Sequence, residues 1–477
     1  MTRTPQALLL LFLTVLGLAP SEAAAGFSSE CPFGVNAHQA SDSELDLAAA
    51  AGIGWVRMDF NWDQFEPSRG AYDWTVPDRF VARAEALGLN VFATAAYTPA
   101  WAVSGNCDNA ASEESEWCRN AVPASTSYWT DFVTAAVGRY GDRIKHWGMW
   151  NEPNLEHFFR GTSAEYIDVI LEPGSQAVHD ACGDCYVLGP ELAHMRGSDS
   201  WNGEEGTCAF GECIFNGWEV SLTEILQEAG SSIDIITHHN YEGSSSEMWA
   251  ELTDGEFLLI QYMHGVKEIT DSYAPGKPVW LTEFGYESTP GGEFSEAEAA
   301  RELEASFEDL FDVQAGSHAS VANQPWPEVE KLFWYDLTDD PNTYDWGTFT
   351  WGLLEDDYTP KEAWYTFGDV ISAAGGCWEE EKKDPAPDTG EDPVQDTGDS
   401  TSDEDPDNPD HDPDSVGEAD DTGSGDASDA GTRPSGTSGC GGTLGLERGS
   451  NTSGRLTWAV LLPLLSLIVR RRHHFRR

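Results

Sequence analysis

The chain has 477 residues, 40% hydrophobic and 11% aromatic, with 19 tryptophans and a formal net charge of −57. That length accommodates one large barrel with appendages, or two to three ordinary domains. The charge excludes a nucleic-acid partner, since a phosphate backbone would be repelled, and it weighs against a strongly anionic polysaccharide. The segment 379–437 holds about 21 acidic residues against three basic ones, and 26–378 still carries about −45. A folded region that acidic suits a salty or solubility-demanding exterior.

Residues 1–25 read as an export signal: Arg3, an apolar run from Leu8 to Leu18, then the small residues Ala23, Ala24 and Ala25. The run is short for a membrane span; an uncleaved anchor is the alternative. Export places the nine cysteines in an oxidising compartment. Cys107/Cys118, Cys182/Cys185 and Cys208/Cys213 are each spaced to staple a loop, and Cys31 and Cys377 stand where they could clasp the two ends of one domain. Cys182-Gly183-Asp184-Cys185 also fits a redox motif or half a metal site. Without a matching second half, a structural disulfide is the better reading. Cys440 is left over.

From Phe33 to about Val370, short apolar runs alternate with amphipathic stretches. Strand candidates are Phe33–Asn36, Trp55–Asp59, Val91–Ala95, His146–Asn151, Tyr186–Gly189, Ile233–His238, Val279–Glu283 and Lys331–Tyr335. Helices are expected over Glu44–Ala51, Arg79–Leu87, Trp129–Tyr140, Tyr166–His179, Val220–Gln227, Leu258–Thr270 and Glu296–Phe311. Eight such repeats predict an α/β fold of the (β/α)8 TIM-barrel type over 26–378. A doubly wound open sheet fits less well, because no Gly-rich phosphate loop follows an early strand.

Residues 379–439 are Asp, Pro, Gly, Ser and Thr with almost no large apolar side chain, the composition of a disordered, self-repelling acidic linker. Its acidic runs, such as Asp403 to Asp407, lack the glycine spacing of a calcium loop. Within 440–477, Leu456–Val469 is apolar and is followed by Arg470, Arg471, Arg472, Arg476 and Arg477. A short hydrophobic anchor with a basic cytoplasmic cap is expected. Gly439-Cys440, the apolar segment and the arginine cluster resemble the C-terminal sorting tails of myxobacteria and their relatives. That resemblance implies cleavage near the cysteine and retention at the surface of a bacterial cell. The sequon at Asn451 is read as chance.

Two carboxylates carry the chemistry. Trp150-Asn151-Glu152-Pro153-Asn154 follows the fourth strand candidate, and Thr282-Glu283-Phe284-Gly285 ends the seventh. Both fall at the C-terminal mouth, where catalytic groups of such barrels gather. Asn-Glu-Pro alone would also suit a helix N-terminus with Pro153 in its first turn; the matching second glutamate decides between the readings. Cleaving a glycosidic bond with retention needs two carboxyl groups roughly 5–5.5 Å apart, one ionised and one protonated.

These paired motifs, in this order and over about residues 33–370, resemble clan A glycoside hydrolases in the neighbourhood of families 5 and 39. The resemblance implies that Glu152 is the acid/base and Glu283 the nucleophile, with Asn151 bonding the substrate 2-hydroxyl. It implies that Arg57 keeps the nucleophile ionised, that His239 and Tyr241 contact substrate and nucleophile, and that Trp334 forms an aromatic floor; for Arg57 the alternative is a pair with Asp59 or a surface acid. The run Gly352 to Trp364 resembles the clan's closing loop and last helix. His38 either reaches the rim or ends a strand, and Trp101 either lines a subsite or plugs a loop. His238 and His239 lack a spaced carboxylate or third histidine, so no metal is expected, and two carboxylates imply no cofactor. A monomer cleaving O-glycosidic, β-linked bonds of an oligo- or polysaccharide is the leading expectation. A non-catalytic carbohydrate-binding barrel or a transglycosylase using the same residues are the alternatives.

Overall fold

The computed structural model describes residues 26–104, 118–195, 208–209, 212–213, 217–241, 263–288, 294–318, 325–344 and 347–378. The expected export, linker and anchor segments lie outside the described residues. Eight strands form a closed barrel: β1 Phe33–His38, β2 Trp55–Asn61, β3 Asn90–Ala96, β4 His146–Met149, β5 Tyr186–Leu192, β6 Ile235–His239, β7 Val279–Phe284 and β8 Val329–Trp334. Neighbours are parallel throughout, and β1 pairs with β8 to close the ring. Parallel pairing requires crossovers. These are supplied by α1 Asp42–Ala50, α2 Thr75–Ala86, α3 Thr126–Tyr140, α4 Glu172–Ala181, α5 Trp218–Ala229, α6 Met263–Tyr273 and α7 Glu296–Ala315, and α8 Glu362–Ala373 follows the last strand. The architecture is the expected (β/α)8 barrel and not an open sheet.

Local chemistry sets the helix ends. Ser41 with Glu44 and Ser295 with Glu298 form reciprocal capping boxes that start α1 and α7. Gly316, at φ 76°, takes the left-handed position that ends α7. Two strand boundaries depart from the sequence reading, and both matter. Strand β5 continues three residues past Gly189, carrying Glu191 to the barrel interior. Strand β4 stops at Met149, because Trp150 and Glu152 adopt positive φ (80° and 42°) and turn the chain across the mouth. Residues 258–262 of the helix expected from Leu258 lie outside the described residues.

Side chains alternate along a strand with period two, and the barrel is filled in layers. Trp55, Phe92, His146, Trp280 and Phe333 plug the lower part, with ring centroids 5.0 Å apart for Trp55–Trp280 and 5.9 Å for Trp280–Phe333. Lys331 lies 5.1 and 5.0 Å from the Trp55 and Trp280 rings and donates to the carbonyls of Ser29 and Cys31. One step up β2 and β3, the same inward positions are Arg57 and Thr94. The switch from aromatic to polar along one face marks where structure gives way to the site.

Cys31 and Cys377, 346 residues apart, are disulfide-bonded, as are Cys182 and Cys185. Cys118 is disulfide-bonded too; Cys107, its expected partner, lies outside the described residues. Cys208 and Cys213 stand opposite each other in a short antiparallel hairpin. Among the described residues, no helix is long and apolar enough to cross a membrane.

Closing a loop of that length restrains the unfolded chain, so replacing Cys31 and Cys377 by serine should lower stability by roughly 2–5 kcal/mol. Calorimetry should find a lower Tm with circular dichroism unchanged, since β1–β8 pairing closes the barrel without the bond.

Candidate active site

Arg57 sits inside the barrel, 2% exposed, with its donors distributed over five strands or strand ends besides its own. Nη1 donates to Asn36 Oδ1 (2.8 Å) and to Glu283 Oε1 (2.7 Å); Nη2 donates to Asn151 Oδ1 (2.7 Å) and Glu191 Oε2 (2.6 Å); Nε reaches Thr94 Oγ1 and Glu191 Oε2, both at 3.0 Å. A buried cation is tolerable only when paired and hydrogen-bonded, and here both conditions are met. Asn36 in turn donates its amide to the carbonyls of Thr282 (3.0 Å) and Trp334 (3.2 Å), tying β1 to β7 and β8.

His239 lies between the two glutamates. Its Nδ1 is 2.9 Å from Glu152 Oε1 and 3.4 Å from Glu283 Oε2. Tyr241 donates its hydroxyl to the same Glu283 oxygen at 2.6 Å. The ligand atoms of Glu152, His239 and Glu283 all lie within 4.8 Å of one another. Burial pushes the Glu152 carboxyl above its usual range, and the neighbouring Glu283 adds to this. Burial would raise Glu283 as well, but the charges of His239 and Arg57 and the Tyr241 hydrogen bond prevail and hold it below the usual range. Burial would lower His239; Glu283 and the bond to Glu152 outweigh it, raising the ring to about 9. Two carboxyl groups of one kind are thus driven apart by their surroundings, the arrangement that divides acid from nucleophile.

The three groups are also close enough to hold a metal ion, which the sequence reading set aside for want of a carboxylate beside the histidines; the carboxylates are there. The surrounding carboxylates favour the protonated ring, however, raising its pKa to about 9, and a cation would have to compete with that proton. His238 takes no part: it is buried on the other face of β6, 5.0 Å from the Trp218 ring.

The cleft is lined by His38, Arg57, Asp59, Asn61, Thr94, Ala96, Tyr97, Asn151, Glu152, Phe158, Glu283 and Tyr335. Asn151 spends its carbonyl oxygen on Arg57, leaving its amide nitrogen for the cleft. His38 reaches the rim, its ring between Asp59 (3.0 Å) and Asp336 (3.3 Å). Burial lowers its pKa, but the two carboxylates raise it further, well above the ordinary value. Trp101 serves as a plug: it donates to the Glu66 carbonyl at 2.7 Å and packs on Trp62 and Tyr128.

Trp334 does not line the cleft. Phe333 faces the barrel interior, so by alternation Trp334 points outward. There it is buried against Phe284 and Tyr286 and donates to the Trp351 carbonyl at 3.1 Å. The ring at the cleft is Tyr335, the next inward position. Reading the parity of Phe333 and Tyr335 would have found it. Sequence reasoning also missed Asn36 and Glu191, neither of which stands in a motif. Five non-glycine residues with positive φ cluster at these strand ends: His38, Tyr97, Trp150, Glu152 and Glu191. Such strain, about 1–3 kcal/mol each, persists where the surroundings over-determine it and is typical of functional sites.

Comparison with known proteins follows the same lines. The family described as beta-galactosidase matches residues 33–154. A beta-xylosidase of Geobacillus stearothermophilus is 24% identical over 238 residues, covering 46% of this chain and 42% of the relative; the chain thus spans less than half the length of that curated relative. A family 39 glycoside hydrolase from Bacteroides cellulosilyticus WH2 superposes with a TM-score of 0.50 at 21% identity, over 72% of this chain and 64% of the other. A monomeric beta-xylosidase from Caulobacter crescentus CB15 does so at 0.50 and 17%, over 74% and 70%. GH5_18 from Streptomyces cattleya gives 0.50 and 16%, over 76% and 83%.

Two glycine substitutions test the packing. At Gly148 on β4, an added Cβ would collide with Glu191 Oε1 and press the Phe92 ring at 3.0 Å. Gly148→Ala should therefore cost about 1–3 kcal/mol. Gly138, on α3 with nothing within 4 Å, should gain roughly 0.4–1 kcal/mol as alanine. Denaturant titration should move the two variants in opposite directions. In its fold this barrel resembles glycoside hydrolases of families 39 and 5.

Proposed function

We propose that the barrel is a retaining glycoside hydrolase acting on neutral, β-linked sugars. One observation carries the reading: the facing oxygens of Glu152 and Glu283 lie within 4.8 Å of each other. A pair that close falls on the retaining side of the division, roughly 5–5.5 Å against the roughly 6.5–9.5 Å that gives inverting enzymes room for a water. A xyloside is the first substrate to try, given the beta-xylosidase relative.

In the first step Glu283 Oε attacks the anomeric carbon while the glycosidic oxygen takes the Glu152 proton and departs with the bonding electrons. The product is a glycosyl ester on Glu283. In the second step the ionised Glu152 takes a proton from water, whose oxygen attacks the same carbon, and the Glu283 carboxylate leaves. Each displacement inverts the centre, so the configuration is retained. Arg57 and Tyr241 orient Glu283 and release its negative charge only as the bond forms. Asn151 offers its amide to the 2-hydroxyl, and Tyr97, Phe158 and Tyr335 give the sugar apolar faces to rest on. Export and surface anchoring through 440–477 are part of the proposal and rest on the sequence of the two termini.

Incubating the protein with aryl β-glycosides and with plant, algal and microbial polysaccharides, and following the product anomer by NMR, tests the reading. Retained product supports it. Inverted product, or tight glycan binding with no turnover on any substrate, overturns it. Glu283→Ala should lose nearly all turnover. Glu152→Ala should slow substrates with poor leaving groups about 10²–10⁴-fold yet spare the first step on activated aryl glycosides. Because Glu283 is held low and Glu152 high, kcat/KM should be bell-shaped in pH. It falls on the acid side as Glu283 takes a proton and on the alkaline side as Glu152 loses one.

A further inference from the structure

Glu191 is a third carboxylate beneath the site, and the reaction just described gives it no role. It is 0% exposed, a position a glutamate takes only when its charge is matched. It accepts from Arg57 Nη2 at 2.6 Å and Nε at 3.0 Å, and from the Thr94 hydroxyl at 3.1 and 3.2 Å. Its other neighbour is His239, whose Nε2 lies 3.8 Å from Oε2. That nitrogen has no hydrogen-bond partner among the described residues, so Glu191 is the group that faces it. The position is built for this side chain. Gly148 on β4 leaves the volume that Oε1 occupies, the Glu191 amide donates to Thr237 Oγ1 at 3.0 Å, and the backbone is held at φ 52°.

We propose that Glu191 is a positioning residue for both glutamates: a buried counter-ion that neutralises Arg57 from below and faces the far nitrogen of His239. Each cation then turns a fixed donor upward, Arg57 to Glu283 and His239 to Glu152. The inference rests on the glycosidase reading for its kinetic consequence but not for its charge arrangement.

The consequence follows from charge counting in a low-dielectric site. With Glu152 protonated, the cluster holds two cations, Arg57 and His239, and two anions, Glu191 and Glu283, and is neutral. Other titratable groups act on it: Tyr97, Tyr166, Tyr241 and Tyr335, all raised by burial, and His194 and His238, both lowered by it, bring no charge near neutral pH. At the rim Asp59 acts on Arg57 and His38 on Glu283, but these two are an anion and a cation bonded to each other at 3.0 Å and bring no net charge, with Asp336, raised by burial, on the far side of His38. Removing the Glu191 charge leaves one positive charge in excess. The cluster regains neutrality by releasing a proton at lower pH, from Glu152 or from His239, and in so close a cluster the event belongs to both. Since the acid is then spent, activity is lost on the alkaline side first. A carboxylate that merely filled space would lower stability and leave the pH profile where it was.

The test uses the full chain in three forms: wild type, Glu191→Gln and Glu191→Asp. In Glu191→Gln the alkaline limb of kcat/KM should move down by about one pH unit, a tenfold loss at a fixed pH above it. KM at the optimum should change far less than kcat. Glu191→Asp keeps the charge and should keep the wild-type limb. In parallel, ¹⁵N-histidine NMR follows the His239 ring, assigned with His239→Gln. Wild type should hold both ring protons to about pH 9, and Glu191→Gln should lose one at lower pH. A folded Glu191→Gln protein with unmoved limb and unmoved histidine titration overturns the proposal. So does a neutral His239 ring in wild type at pH 7, which needs no variant to fold. Absence of turnover on every glycoside would sink the glycosidase reading and leave the histidine arm to decide this one.

Discussion

A guanidinium inside a barrel is a demand that the surrounding residues have to meet. Arg57 has five N–H donors and almost no access to water. Its partners come from Asn36 on β1, Thr94 on β3, Asn151 after β4, Glu191 on β5 and Glu283 on β7. Leaving one of the two carboxylates out would strand a buried charge, at roughly 3–5 kcal/mol. That penalty explains why so many strand ends converge on a single side chain. It also explains why their relative heights are fixed, since a shift of one residue in any strand would turn its partner outward.

From that anchor the asymmetry of the two glutamates follows. Glu283 receives Arg57, His239 and Tyr241, and three favourable neighbours outweigh the cost of burial. Glu152 is equally buried, but there burial prevails: His239 bonds it, Arg57 adds a smaller pull from farther off, and Glu283 opposes both. The difference is one of neighbours and not of depth. It is preserved by rigidity below, where the aromatic layer of Trp55, Phe92, Trp280 and Phe333 fixes the strands, and by strain above, where Trp150 and Glu152 are held at positive φ. Rigid support and a strained rim together place reacting groups more accurately than a loop can.

The barrel was legible because its strands are short, apolar and evenly spaced. Six of the eight expected strands share a first residue with the observed one or miss it by one. Glu152 and Glu283 were legible because each stands in a strand-end motif, and Arg57 through the family resemblance those motifs carry. What escaped notice depends on closure. Glu191 follows Gly189-Pro190, where the strand was expected to have ended, and nothing local says that a glutamate two residues on lies beneath the site. Asn36 looks like one more strand residue until β7 and β8 come round to meet it. The error at Trp334 arose from giving an aromatic its expected role without counting parity from Phe333, which would have pointed to Tyr335. The linker was read from composition and the anchor from its apolar run, arginine cluster and resemblance to sorting tails, and both lie outside the described residues.

The central claim is that Glu283 forms a bond to sugar. The most direct measurement is to treat the protein with a 2-deoxy-2-fluoro β-glycosyl fluoride of a sugar it turns over and to locate the adduct by mass spectrometry. The fluorine slows the second step more than the first, so the intermediate accumulates. The account predicts a mass gain of one fluoroglycosyl unit on the peptide containing Glu283, stoichiometric with loss of activity. A label on Glu152 or Glu191, or continued turnover with inversion and no adduct, would contradict it.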